Sequence, residues 1–403
     1  MKNRILFVDD ERHLLDGLKR SLRSQRNVWE MTFATSGEEA IRLTDAQHFD
    51  VVVADMRMPG MTGAELLERL SEHHPDMIRL ILSGHSDETL ILKAVPYAHQ
   101  FLSKPCEADV IKHVITRSLK LKSLVEDGRV QALVSQTRSL PTLPELYVEL
   151  TDLLNSDRVS VQQVGEVIGQ DPAMVSKILQ MVNSAFFGIG HHISSPAQAA
   201  TMLGTETLRG LVLSAGIFMQ FDTKALNVGG FTLEALHRHS LQVSRLAKGI
   251  AVSMEAEKQV VEDSLLAGLL HDIGRLVLVQ SLPDEYQEFI NKMHDCQTGL
   301  LEAERAVFNV DHGRVGAYLL GLWALPDSLV EAVAYHHEPQ LSEHFGLSPL
   351  LAVHVADALI SAHSTETSVI PTTLNMDYLA AAGMTDRLDG WRALHTTLLA
   401  EAG

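Results

Sequence analysis

Cysteine and positive charge are both scarce in this 403-residue chain. Only Cys106 and Cys296 occur, too few for a disulfide framework, which fits a reducing cytosol. Lysine and arginine number 33 against 51 acids, a formal net charge of −18. An acidic surface repels phosphate backbones and anionic lipid, so direct DNA binding and docking on a membrane are not expected. No apolar run has the length that a bilayer-crossing helix needs, so membrane insertion is not expected either. The opening residues, Met1-Lys2-Asn3-Arg4-Ile5, run into a short apolar stretch that ends in acids, without a signal peptide's long apolar core or cleavage site. The expected location is the cytoplasm. What the chain does have is 46% apolar residues, enough for sizeable cores, and a length that suits two or three domains.

Up to about residue 120, short β-rich runs alternate with amphipathic stretches. Ile5-Leu6-Phe7-Val8, Val51-Val52-Val53-Ala54, Leu80-Ile81-Leu82 and Phe101-Leu102 are continuous apolar runs, as strands buried on both faces require. Glu38 to Ala46 and Ala64 to His73 have helical spacing. This alternation predicts a doubly wound parallel sheet. From Glu107 the pattern is helical through Leu121, Leu124 and Val125, which predicts a helical linker and leaves room for a dimerising coiled coil and a homodimer. Leu140-Pro141-Thr142-Leu143-Pro144 breaks it.

After Pro144 strand signals nearly vanish. Helical periodicity runs on, punctuated at Asp171-Pro172, Gly188-Ile189-Gly190, Ser195-Pro196, Gly229-Gly230 and Pro283. Asp171 before Pro172 reads as an N-cap with proline at the first helical position. Leu208 to Phe221 reads as a buried helix, and His191-His192 as exposed loop. The boundaries read as 1–120, a helical linker 121–138, an all-helical domain 139–340 and its helical extension 341–403.

Polar residues collect at the C-terminal ends of the first half's strands. Asp9, Asp10, Asp55, Ser83 and Lys104 all fall at that edge, where open α/β sheets bind ligands. Three carboxylates in one crevice repel each other and need a cation; an open, oxygen-rich site suits Mg²⁺. One carboxylate can then attack phosphorus to give an acyl phosphate, with metal and lysine neutralising the transferring group.

These residues, in this order, resemble the receiver domain of two-component response regulators, a flavodoxin-like α/β fold. The resemblance makes Asp9-Asp10 the metal-binding acidic pair. It makes Asp55, in Val-Val-Val-Ala-Asp-Met-Arg-Met-Pro-Gly-Met-Thr-Gly, the residue that a sensor histidine kinase phosphorylates. Arg57 would lend its backbone carbonyl to Mg²⁺. Ser83 would bond the phosphoryl group, Phe101 would be the switch aromatic, and Lys104-Pro105 the lysine followed by a cis proline.

The second half carries many of the chain's 20 histidines. The order is His239, then His271-Asp272 after Leu265 to Leu270, then His312, then His336-His337, then Asp357. Imidazoles and carboxylates from separate helices are how bundles build metal sites, and mixed sets suit Fe, Mn or Zn. Taken singly, each suits an ordinary cap, ion pair or helix end. The order is similar to the HD phosphohydrolase superfamily, and within it to the HDOD family, the HD-related output domains. The blocks Asp171-Pro172, Val182-Asn183-Ser184-Ala185, Gly268-Leu269-Leu270-His271-Asp272-Ile273-Gly274 and Trp323-Ala324-Leu325-Pro326 carry that resemblance.

The HD-GYP phosphodiesterases of that superfamily cleave cyclic di-GMP. This chain departs from them. Pro339-Gln340-Leu341 stands where Gly-Tyr-Pro would follow, Ala235 stands four residues before His239 where an acid is usual, and Arg275 replaces the lysine of His-Asp-x-x-Lys. A permanently charged arginine cannot donate a proton of tunable pKa. The expectation is a response regulator whose HDOD domain is a regulatory interaction module, with a ligand set that could carry a metal. The alternative is a receiver-gated, metal-dependent phosphohydrolase acting on a cyclic dinucleotide.

Overall fold

The computed structural model describes residues 2–84, 93–94, 96–137, 141–142, 144–156, 160–183, 193, 195–209, 219–220, 228, 231–296, 299–362 and 372–402. Leu140, Leu143, Ser184-Ala185, Gly188-Ile189-Gly190, His191-His192, Gly229-Gly230 and most of Leu208 to Phe221 lie outside them.

The N-terminal domain is a parallel sheet of order β2-β1-β3-β4-β5, with β1 Asn3–Val8, β2 Trp29–Ala34, β3 Val51–Asp55, β4 Ile78–Ser83 and β5 Gln100–Ser103. β3 and β4 are buried at every position, which is why their sequence is nearly unbroken apolar. Edge strand β2 is not, and Glu30 and Thr32 interrupt its apolar pattern. Helices α1 Arg12–Ser21, α2 Gly37–Ala46, α3 Gly63–His73 and α4 Ala108–Lys122 flank the sheet. Ser36 caps α2, and Thr62 and Glu65 form a capping box on α3, fixing where each helix starts relative to its strand.

The helical pattern beyond α4 is interrupted. Asp127 accepts from the backbone N–H groups of Arg129 and Val130 and starts a separate helix, α5 Gly128–Gln136. Leu121, Val125, Val130 and Val134 are buried within the chain, so the apolar face that a coiled coil would use is already covered.

The second domain contains α6 Pro144–Asn155, α7 Val161–Ile168, α8 Pro172–Val182, α9 Pro196–Arg209, α10 Leu233–Ser253, α11 Lys258–Leu270, α12 Ile273–Ser281 and α13 Pro283–Cys296. It continues with α14 Leu300–Phe308, α15 His312–Leu322, α16 Asp327–Tyr335, α17 Pro349–Ser361, α18 Met376–Ala381 and α19 Leu388–Ala402. A two-residue parallel pair, β6 Pro141–Thr142 with β7 Met219–Gln220, is the one strand pairing described in this half besides a single bridge. Asp171 caps α8 through bonds from Ala173 and Met174 of 2.8 and 3.0 Å. The C-terminal helix folds back: Trp391 Nε1 donates to Ser253 Oγ at 3.2 Å.

The two domains meet along one face of α15. Gln100 of β5 and Arg117 of α4 both donate to the carbonyl of Gly321, at 3.2 and 3.3 Å. Arg117 also bonds the carbonyl of Leu325 and pairs with Asp327 at 2.7 Å. Beneath them Arg79 and His99, both buried, donate to the carbonyl of Ser135, whose hydroxyl meets Tyr318.

Candidate functional site

The first site lies at the C-terminal edge of the sheet. Asp9 and Asp10 follow β1, Asp55 ends β3, Ser83 ends β4 and Lys104 follows β5. The sheet order places β1 beside β3 and β3 beside β4, so the five groups share one edge. The carboxylates of Asp9, Asp10 and Asp55 offer oxygens that all lie within 4.8 Å of one another. Lys104 Nζ sits 2.9 Å from Asp9 and 2.6 Å from Asp55. Burial pushes the Asp55 carboxyl up, against the pull of Lys104. Burial alone would depress the Lys104 ammonium, but its bonds to Asp55 and Asp9 outweigh that and raise it. Ser83 is fully buried and its hydroxyl has no partner among the described residues.

Arg57 is exposed in the loop two residues past Asp55. Phe101 is buried on β5, beside Gln100, and the Lys104-Pro105 bond is cis. Glycine lets this edge close up: a Cβ on Gly63 would overlap the carbonyl of Asp55. The donor set fits Mg²⁺, which takes carboxylate and carbonyl oxygens and keeps waters.

The second site gathers His239 from α10, His271 and Asp272 from the turn between α11 and α12, His312 from the start of α15, His336 and His337 from the end of α16, and Asp357 from α17. All seven residues anticipated from their order come into one buried cluster. It has two adjoining sets, Asp272-His312-His336-His337 and His239-His271-Asp357, each with ligand atoms within 4.8 Å of one another. His312 Nε2 is 3.1 Å from Asp272, 3.3 Å from His336 Nε2 and 3.2 Å from His337 Nε2. His239 Nε2 is 3.1 Å from Asp357 and 3.3 Å from His271 Nε2. Glycines on either side of His271-Asp272 permit this approach: a Cβ on Gly268 would meet Ser244 backbone, and one on Gly274 would overlap the carbonyl of His312.

The donor chemistry fits a divalent cation. His271 Nδ1 faces the carbonyl of Gly268 and His336 Nδ1 that of Val333, both at 2.8 Å. A carbonyl only accepts, so the proton of the neutral ring sits on Nδ1 and each Nε2 turns a lone pair inward. An Nε2 lone pair held inward in this way, beside the carboxylates of Asp272 and Asp357, is what a divalent cation takes as a ligand. Burial, then the neighbouring His271 and His312, depresses His336 to about 3. His312 is the exception. Burial would lower it, but the carboxylates of Glu304 and Asp272 push it up to about 10.

Three residues here escaped sequence reading. Glu304 of α14 is fully buried against His312. Thr372 donates to Asp357 at 2.5 Å and meets His337 at 3.1 Å. Tyr286 bonds Arg275 Nε at 3.2 Å. A signal existed for Glu304 alone: it falls on the apolar face of α14, between Leu300 and Phe308 at four-residue steps, where an acid is out of place. Arg275 itself is buried, paired with Asp272 at 3.1 Å and stacked over Phe231.

Comparison with known proteins agrees with both halves. Residues 5–116 match the response regulator receiver domain and residues 140–339 match the HDOD domain. The chain belongs among the response regulators, as one that joins a receiver to an HDOD output domain. A protein of Treponema pallidum is 24% identical over 266 residues, 61% of this chain and 48% of the relative. The C4-dicarboxylate transport transcriptional regulatory protein DctD of Pseudomonas aeruginosa is 30% identical over 182 residues, 44% of this chain and 36% of DctD. This chain therefore spans less than half the length of these two curated relatives. The MmoQ response regulator of Methylococcus capsulatus is similar in structure, with a TM-score of 0.48 and 24% identity over 63% of this chain and 98% of MmoQ. No single helix among the described residues is long and apolar enough to cross a membrane.

Proposed function

We propose that this response regulator is a phosphorylation-controlled interaction module, with functional units at 1–120, 121–138, 139–340 and 341–403. Asp55 takes a phosphoryl group from a sensor histidine kinase. Its carboxylate oxygen bonds to phosphorus as the donor's phosphorus–nitrogen bond breaks. Asp9, Asp10, Asp55 and the Arg57 carbonyl would hold Mg²⁺, whose charge offsets that of the phosphoryl oxygens. Lys104 neutralises the same oxygens, and Ser83 turns its unpaired hydroxyl toward them. Phe101 follows Ser83 inward and takes β5 with it.

The observation that carries this reading is a neighbour relation on β5. Phe101 sits next to Gln100, and Gln100 holds the carbonyl of Gly321. The strand that senses phosphorylation thus touches the output domain directly. The HDOD domain in turn presents a buried His/Asp cluster that would hold Fe, Mn or Zn as a structural ion. The locking of Arg275 between Asp272 and Tyr286 favours a binding role there over proton transfer.

The test is hydrogen exchange on the full chain with and without acetyl phosphate and Mg²⁺. Faster exchange at α4 and at the Gly321–Leu325 turn, absent in Asp55→Asn, is expected. Unchanged exchange in phosphorylated protein would sink the coupling.

A further inference from the structure

We infer that Glu304 is a positioning residue for the histidine cluster: it locks His312 in the tautomer and orientation that turn Nε2 toward the other ligands. The inference rests on reading that cluster as a metal site. Glu304 is fully buried in α14 and spends its carboxylate on one residue. Oε2 accepts the backbone N–H of His312 at 3.0 Å, and His312 Nδ1 lies 2.9 and 2.8 Å from Oε1 and Oε2. This is a two-point hold on the first residue of α15. It fixes where the helix begins and how the ring is rotated about it.

The other tied rings of the cluster use neutral acceptors for the same purpose, the carbonyls of Gly268 for His271 and Val333 for His336 and the Thr372 hydroxyl for His337. Of these rings only His312 has a carboxylate in hydrogen-bond contact with its Nδ1, at 2.8 Å, and its Nε2 lies 3.1, 3.3 and 3.2 Å from Asp272, His336 and His337. A charged acceptor behind an imidazole makes Nε2 a stronger donor to a cation than a carbonyl does. The one charged backing thus stands behind the ring with the shortest contacts to three other ligands. A buried acid kept only for helix capping would not need to reach the ring nitrogen.

The test compares wild type, Glu304→Gln, Glu304→Leu and His312→Ala as full-length proteins. Each is stripped, reloaded with Mn²⁺ or Zn²⁺, and measured for metal content and for affinity by chelator competition. Glu304→Gln keeps an accepting oxygen and loses the charge; an affinity loss of about 10-fold is expected. Glu304→Leu removes the acceptor, and a loss of about 100-fold is expected. Nitrogen-15 shifts of the His312 ring give a readout that a purely structural role would not move. The Nδ1 signal reports a proton held by a carboxylate in wild type, by an amide oxygen in Glu304→Gln and by no acceptor in Glu304→Leu. If Glu304→Leu fails to fold, the charge effect in Glu304→Gln decides. Wild-type affinity in both Glu304 variants would overturn the inference while leaving the metal reading intact. A wild type that takes up no metal, like His312→Ala, would overturn both.

Discussion

Leu121 of the receiver's last helix fills the space where a Cβ on Gly321 of the HDOD domain would stand. Two surfaces about 200 residues apart in sequence therefore fit only because one of them is glycine. Gly321→Ala should raise the helical propensity of α15 by about 1 kcal/mol while straining the contact by about 1–3 kcal/mol. The expected result is a looser interface on a sound output domain. Faster exchange in α4, with thermal unfolding of the HDOD part unchanged or higher, would register it; unchanged exchange in α4 would mean that Leu121 simply moves aside.

The buried polar staple beneath that contact predicts a pH dependence. His99 is held well below its ordinary value, first by burial and then by the charge of Arg79. Its Nδ1 accepts from the Arg79 backbone and its Nε2 donates to Ser135, so the neutral ring is the one that fits. The unfolded chain takes up a proton near pH 6.5 and the folded one does not. Stability contributed by this ring is therefore complete above about pH 6.5 and falls below it, by at most about 1.4 kcal/mol per pH unit. Melting curves from about pH 7.5 to 5.5 should show a shallower decline in His99→Gln than in wild type. Equal slopes would assign the acid loss to other buried histidines.

Lys104 stands between two carboxylates, with Asp9 and Asp55 on either side. Lys104→Met leaves both without that ammonium, at a cost on the order of 1–3 kcal/mol. Mg²⁺ should restore part of the lost stability in this variant and more of it than in wild type, because a cation takes over the missing charge. Thermal shift with and without millimolar Mg²⁺ checks this, and an Mg²⁺ response no larger than the wild type's would count against a cation site at Asp9, Asp10 and Asp55.

Arg275 is buried with its guanidinium on Asp272 and Tyr286. Arg275→Met removes one partner of a buried pair and should cost about 3–5 kcal/mol. Arg275→Lys keeps the charge but not the fork, and should lie between. Chemical denaturation measures both. Neither variant nor the wild type is expected to hydrolyse a cyclic dinucleotide; turnover by the wild type after metal loading would revive the hydrolase reading.

Much of both sites was legible because their chemistry is written in residue type and order. Asp9, Asp10, Asp55, Ser83 and Lys104 stand at strand ends, and apolar runs mark buried strands plainly. The histidine cluster was legible as an ordered set rather than residue by residue. Strand β2 was harder, since Glu30 and Thr32 disrupt its pattern at a sheet edge. The break after Lys122 was hidden because its apolar residues keep helical spacing across it. The docking of Gln100, Arg117 and Leu121 on Gly321 has no local signal at all. It depends on surface complementarity between segments that only the folded chain brings together.

Helix α15 is 11 residues long, roughly 16 Å, with the receiver bonded at its last turn and His312 at its first. A rod gripped at both ends obeys reciprocity. Whatever free energy phosphorylation at Asp55 delivers to the histidine cluster, occupancy of that cluster returns to Asp55 in equal measure. If the cluster holds a metal as proposed, metal supply sets the threshold at which phosphorylation of Asp55 takes effect.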